Sequence, residues 1–356
     1  MRSKLNKWFF PHDHKPDHFK AIDGLRGLAV LIVMLSHSSN AGLFFHRHFN
    51  FSTYGKMGVY LFFLISAYLL DRQIALAFVK GRTSTAYWKN YFLRRFLRIY
   101  PLFIIALITF ASLSYFNFQT TIEGVEDIWQ HAILQKGERH FWSIPVEFKY
   151  YFLSPILLWF CHYFLKWEFR KTMLFFILAI FSFVLLEFLH PFSRISVIKY
   201  LPIFLVGTLI AIYEILQPKN ITLRSKKQWS WIGLLALLIV ILLNPHYFNA
   251  ISNHTLEIKN PIYFLPFALL WGTIFWACKY GSGLVIRIFE FKGLRFLGSI
   301  SYSMYLFHIP VLQFAETTTL FADGIKIYMF FLISIVIAMV SYSLIEKPLS
   351  KIRVRG

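Results

Sequence analysis

Arg26 and His37 lie eleven residues apart in FKAIDGLRGLAVLIVMLSH, residues 19–37, a stretch otherwise apolar enough to cross a bilayer. On a helix turning about 100° per residue, that separation is three turns plus roughly 20°, so both side chains leave one face. At about 1.5 Å rise per residue they stand roughly 16 Å apart along the axis. Histidine is the side chain most easily poised near neutral pH as a proton acceptor, and arginine holds phosphate or carboxylate in fork geometry. A substrate with a phosphate-bearing end at one membrane boundary and a reactive end about 16 Å deeper suits the pair. Each residue also has a plainer reading. Arg26 can be an interfacial anchor paired at i, i+3 with Asp23, and His37 a hydrogen-bonded histidine between helices. Neither reading explains why both share a face, and ionisable groups inside a span point to function.

Further polar side chains recur in the same kind of setting. In YGKMGVYLFFLISAYLL, residues 54–70, Gly55, Gly58, Ser66 and Ala67 leave gaps in an aromatic helix that allow a neighbour to pack closely. Arg95 and Arg98 sit at i, i+3 where the third apolar run begins; they serve either as topology anchors or as a site for a polyanionic ligand. Glu147 and Tyr151 share a face at i, i+4 just past Pro145, and a carboxylate this deep pairs with a base or lines a water-filled cavity. Ser301, Tyr305 and His308 form a polar stripe that reads equally as inter-helix glue or as a pocket wall. Glu346, at the inner interface, reads as structural, with an arginine for a partner.

These residues need a scaffold of membrane spans. Hydrophobic residues make up 57% of the 356, in repeated runs of about twenty separated by short basic loops. Ten spans are expected, at about 21–44, 57–79, 96–116, 142–165, 172–189, 197–216, 230–247, 261–280, 298–316 and 325–345. The fold class is therefore all-α and polytopic, with residues 1–18 a tail, 19–346 one membrane domain and 347–356 a basic tail. Most of the 37 lysines and arginines fall in the termini and alternate loops, which predicts that both ends are cytoplasmic. The formal charge of +20 is then a topology signal and an attraction for anionic lipid; a nucleic-acid partner would need a basic soluble module, and none is evident. Cys161 and Cys278 both fall inside spans, which supports neither a disulfide framework nor a cysteine metal site. The N-terminal stretch, interrupted by Pro11 and Pro16, lacks the apolar core of a signal peptide, and its His12 and His14 read as solvated rather than metal-binding. Within the external segment 117–141, the run VEDIWQHAIL is expected to form a short interfacial helix.

Taken together, IDGLRGLAVLIVMLSH, GVYLFFLISAYLL, RRFLRIYP, FWSIPVEFKYYFLSPIL, RFLGSISYSMYLFHIPV and SYSLIEKP resemble, in order and along the whole chain, the acyltransferase-3 family of integral membrane acyltransferases. The family's arginine-ten-residues-histidine pattern falls on Arg26 and His37, and its arginine-any-any-arginine pattern on Arg95 and Arg98. One departure is Ala67, where the family commonly has glycine after the serine that matches Ser66. Some members also carry a C-terminal soluble hydrolase-like domain, absent from these 356 residues. The resemblance implies an O-acyltransferase of the bacterial inner membrane, using cytoplasmic acyl-CoA (acetyl-CoA first) and an acceptor such as a surface glycan or lipid-linked sugar. A separate periplasmic partner would complete transfer if the membrane domain does not. Arg95, Arg98 and Arg26 would then bind the CoA phosphates, and His37 would act as general base or carry the acyl group itself. Glu147, Tyr305 and His308 would orient His37 or the acceptor, with Asp23, Ser66, Tyr151 and Ser301 in support. No metal is implied. The rival reading is a proton-coupled secondary transporter in which His37, Glu147 and His308 form a proton relay; the chain shows no repeated half of the kind common in transporters.

Overall fold

A computed structural model describes residues 8–10, 13, 19–116, 118, 120–217, 222–252, 256 and 263–352. Pro11, His12, His14 and Pro16, with the last four residues, lie outside the described set. The described chain is helical, without strands. In order it forms α1 (Ala21–Asn40), α2 (Gly55–Val79), α3 (Thr85–Tyr115), α4 (Val125–Ala132), a 3-10 turn (Arg139–Trp142), α5 (Ser143–Tyr163), α6 (Phe169–Leu189), α7 (Val197–Leu216) and α8 (Leu223–Leu242). There follow α9 (Pro245–Ile251), α10 (Phe264–Tyr280), α11 (Leu284–Phe289), α12 (Lys292–Ser299), α13 (Ser301–Thr317), α14 (Asp323–Ser341), a π turn (Tyr342–Glu346) and α15 (Lys347–Leu349).

Among the described residues, seven stretches are long and apolar enough to cross a membrane: α1, α2, α3, α6, α7, α8 and the run from α14 through α15. Where the three other spans are expected the chain forms α5, α10 and α13, helices too short or too polar to count among these seven. The protein is an all-α polytopic membrane protein. Helix ends differ from the expected spans where caps, rather than hydropathy, set them. α3 starts at Thr85 because the Ser84 side chain accepts the Tyr87 N–H (3.3 Å), so Arg95 and Arg98 lie in the third and fourth turns of a 31-residue helix. Thr222 caps α8 in the same way through the Ser225 N–H (3.2 Å), and Asn244 and Pro245 stop its continuation and start α9.

The contacts divide the chain into two compact units, residues 1–65 with 219–302 and residues 66–218 with 303–356. In the first unit α1 lies against α11 and α12 at backbone distance. A Cβ on Gly24 would fall 1.8 Å from the Phe289 carbonyl oxygen, one on Gly27 1.9 Å from that of Leu294, and one on Gly298 1.8 Å from that of Asp23. Only glycine fits these three positions. Gly58 of α2 makes the same kind of approach to α1, since its Cβ would meet the Ala29 oxygen at 2.3 Å; the small-residue packing expected there is present. The core includes Trp271, Tyr54 and Tyr60, the last edge-on to Phe264 at 5.4 Å.

The second unit packs α6 on α7 and α5 on α7, with Phe103, Phe110, Phe141, Tyr150 and Tyr200 fully buried. Pro101, Pro155, Pro202 and Pro310 lie inside its helices, each leaving the carbonyl four residues earlier without its helical N–H, and two of those carbonyls take a side chain from another element. Pro155 frees the Tyr151 oxygen, which takes the Tyr91 hydroxyl at 2.7 Å. Pro310 frees the Leu306 oxygen, which takes His140 Nε2–H at 3.1 Å. In the segment before α5, the expected interfacial helix is α4, with His131 buried while Val125 and Trp129 are exposed.

Candidate active site

In the first unit, α1 runs unbroken from Ala21 to Asn40 and carries Asp23, Arg26 and His37, so the helical phase relation between Arg26 and His37 holds. Arg26 Nη2 donates to Ser301 Oγ at 3.0 Å, and that hydroxyl donates to the Gly298 carbonyl at 2.9 Å. Two of the expected residues, Arg26 and Ser301, thus meet. Asp23 is engaged by Arg295 (3.4 Å), a buried arginine that also pairs with Asp13 and lies over the Phe10 ring at 4.6 Å. The buried cation is therefore shared by two carboxylates, the arrangement a charge in this setting needs. His37 is half-buried in the last turn of α1, and the space that Gly55 leaves lies against Ser36 and His37.

In the second unit four expected residues come together. Glu147 Oε1 accepts from Ser66 Oγ (2.8 Å) and from the Tyr151 hydroxyl (2.7 Å). The Tyr151 ring in turn faces the Arg95 guanidinium at 5.6 Å, and Tyr91 faces it at 5.8 Å. Arg95 Nη2 donates to Gln73 Oε1 at 3.3 Å, while its Nε has no hydrogen-bond partner among the described residues. All these contacts are neutral. The guanidinium is positioned without being neutralised by a touching carboxylate, which suits an anion-binding arginine. It forms part of the wall of a groove of about 330 Å³ that is otherwise mostly aromatic, lined by Phe92, Leu93, Phe96, Phe148, Tyr151 and Phe152. Arg98, one turn further along α3, is exposed.

The polar stripe of α13 divides. Ser301 goes to Arg26, whereas Tyr305 accepts from Ser143 Oγ (2.8 Å) and donates to the His140 carbonyl. His308 Nδ1–H donates to the Tyr305 carbonyl at 2.8 Å, and the His308 and His140 rings lie 5.3 Å apart. With its hydroxyl both accepting and donating, Tyr305 clamps α13 to the segment before α5, which favours the glue reading over the pocket wall. Glu346 accepts the Ser303 N–H (3.2 Å) and hydroxyl, which ties the π turn to α13.

Three further charged groups escaped the sequence reading. Asp71 is fully buried and accepts from Tyr150, Ser154 and Thr208. Glu214 accepts from Tyr68 (2.6 Å) and pairs with Arg72 (3.2 Å). Glu187 and Lys199 form an ion pair that joins the end of α6 to the start of α7. The available signal was Asp71-Arg72 inside an apolar run. Among the described residues, no group of three or more histidine, cysteine, aspartate or glutamate side chains is placed to hold a metal ion.

Fold and sites together define a class: helical membrane proteins whose spans carry ionisable side chains in ordered clusters. The chain belongs to the acyltransferase-3 family, whose acyltransferase domain matches residues 19–345. Among characterised sequences it is similar to O-acetyltransferase OatA of Staphylococcus aureus (strains NCTC 8325 / PS 47 and COL), 25% identical over 375 residues that cover 95% of this chain. It is also similar to "Putative O-acetyltransferase SACOL0978" of Staphylococcus aureus (strain COL), 25% identical over 368 residues and again 95% of this chain. The chain spans 58% of the length of these relatives. No solved structure matches it. Family membership points to acyl transfer as the general chemistry.

Proposed function

We propose that the protein transfers an acyl group, acetyl in the first instance, from cytoplasmic acyl-CoA to a hydroxyl of a glycan or lipid-linked acceptor at the bacterial inner membrane. The observation that carries this reading is α1, one unbroken helix that sets His37 about 16 Å beyond Arg26 on the same face. A hydroxyl is a poor nucleophile until its proton is taken, and His37 is the base. Arg26 in the first unit, and Arg95 and Arg98 in the second, are each assigned to the donor's phosphates; Glu147, steadied on one oxygen by Ser66 and Tyr151, is assigned to orienting the acceptor. The names of the Staphylococcus aureus relatives agree with an acetyl donor. The transporter alternative has no observation of its own beside a family of acyltransferases.

The test is release of free CoA from labelled acetyl-CoA by the purified protein with an acceptor preparation. His37→Ala should lower the rate by about 100-fold or more, the usual contribution of a general base. Turnover close to the parent by a folded His37→Ala protein refutes the assignment. Substrate flux confined to sealed vesicles, without CoA release, would return the transporter.

A further inference from the structure

Asp71 has no part in the reaction just described, yet three hydroxyl groups of the second unit converge on its carboxylate. It sits on α2 with no exposed surface. The Tyr150 hydroxyl donates to it at 2.6 Å, and Ser154 and Thr208 donate as well; the Tyr150 and Thr208 hydroxyl oxygens lie 2.9 Å apart. The Tyr150 ring is stacked on Phe204 of α7, centroids 4.1 Å apart and planes 14° from parallel. One carboxylate of α2 thereby ties together α5 and α7.

The consequence lies in the helical phase of α5. Tyr150 and Ser154 are i, i+4 and share the face that meets Asp71. Glu147 and Tyr151 are also i, i+4 and lie on the adjoining face, about 60° round. Rotation of α5 that breaks the first set would turn the second away from Ser66 and Arg95. Such rotation is opposed because it would strand a buried carboxylate without donors, among the largest penalties a protein interior imposes. α2 grips α5 twice, through Asp71 at the cage and through Ser66 at Glu147.

We propose that Asp71 is a positioning residue for the acyl transfer: its cage of three hydroxyls locks the rotation of α5 and thereby aims Glu147 and Tyr151. This rests on the reading of Glu147 as the group that receives the acceptor. Arg95 keeps its hydrogen bond to Gln73 of α2 when α5 turns, so donor binding depends less on the cage than turnover does.

The experiment compares Asp71→Asn, Asp71→Ala, Tyr150→Phe, Thr208→Val and Glu147→Gln in detergent, measuring turnover number, acetyl-CoA dissociation constant and thermal midpoint for each. Asp71→Ala should lower kcat about 30- to 100-fold, the scale of a misplacement near 1 Å, with the dissociation constant within about twofold of the parent. Asp71→Asn, which keeps an acceptor oxygen, should recover most of the loss. Should Asp71→Ala not fold, Tyr150→Phe and Thr208→Val carry the test, each expected to lower kcat about 3- to 10-fold. Parent-like kcat in Asp71→Ala, or in both single-hydroxyl variants, overturns the proposal. A parallel fall of kcat, donor affinity and thermal midpoint also overturns it, since that is what general loosening produces. The underlying reading fails separately: Glu147→Gln with parent turnover removes the role of Glu147, whereas an inactive Glu147→Gln beside a parent-like Asp71→Ala removes only the lock.

Discussion

At the scale of single residues, Arg95 shows how a cation is kept available. Its direct partners are an amide oxygen and two aromatic faces, which orient the planar group and leave its charge uncompensated by contact. A lysine reproduces the charge but neither the stack on Tyr91 and Tyr151 nor the fork. Arg95→Lys should therefore raise KM for acyl-CoA nearly as much as Arg95→Ala, about tenfold or more at a kcat within a few-fold of the parent. Initial rates over a donor series settle this, and a lysine variant with parent KM contradicts the stacked-fork argument. His131, outside the spans, carries a pH dependence. Its Nδ1–H donates to the Asp127 carbonyl (2.8 Å) and its Nε2 accepts the Glu138 N–H (3.3 Å), so the neutral ring uses both nitrogens. Burial pushes its pKa below the ordinary 6.5. In the window just under 6.5 the unfolded segment then binds a proton that the folded one does not, so the fold of residues 125–138 loses stability as pH falls through it. Asp127 acts at lower pH: the Lys136 hydrogen bond (2.7 Å) holds its carboxyl below 3.8, so its contribution is intact above that value and is lost as pH falls further. The hydrogen-exchange protection of this segment, taken relative to the intrinsic exchange rate at each pH, should fall between pH 7 and pH 5.5 in the parent but not in His131→Gln; an equal fall in both discounts the histidine.

At the scale of elements, the glycines beside Arg26 turn out to be structural necessities. Gly24, Gly27 and Gly298 let α1 meet α11 and α12 backbone to backbone, which fixes the turn that carries Arg26 and brings Ser301 to it. Since a Cβ at Gly298 would fall 1.8 Å from a backbone oxygen, the helices must separate to admit one. Gly298→Ala should cost about 1–3 kcal/mol or more by overpacking, read as a lower thermal midpoint in detergent, and should weaken donor binding through Arg26; Gly324→Ala, at an open position, is the control. An unchanged midpoint for Gly298→Ala would show that the helices yield freely. The spans and the motif residues on them were legible in the sequence because hydropathy and helical phase are properties of one segment. Arg95, Glu147 and Tyr151 were legible as polar residues in apolar runs, but their meeting was not, because it depends on which faces of α2, α3 and α5 turn toward each other. Nor was the role of His140. Pro310 is visible in the chain, whereas the carbonyl that it frees, and the histidine 166 positions away that takes it, become neighbours only on folding.

At the scale of the molecule, hydropathy reads along the chain, whereas the two units are each assembled from distant stretches, so that division was invisible to it. Charge does report on a global property. Lys80 and Arg82 stand in the loop between α2 and α3, while Glu123, Glu126 and Asp127 stand between α3 and α5, and basic loops are retained on the cytoplasmic side. The proposed orientation, both ends inside, then makes a prediction that depends on no feature of the chemistry. Both native cysteines are buried, so an introduced cysteine reports its own side. Exposed positions in the two loops, Arg82→Cys and Glu123→Cys, serve as probes. A membrane-impermeant maleimide applied to spheroplasts should label Glu123→Cys at once and Arg82→Cys only after permeabilisation. The opposite pattern would invert the protein, placing Arg95 and Arg98 on the side that acyl-CoA does not reach and removing them as the donor's phosphate site even if each variant still binds anions in detergent.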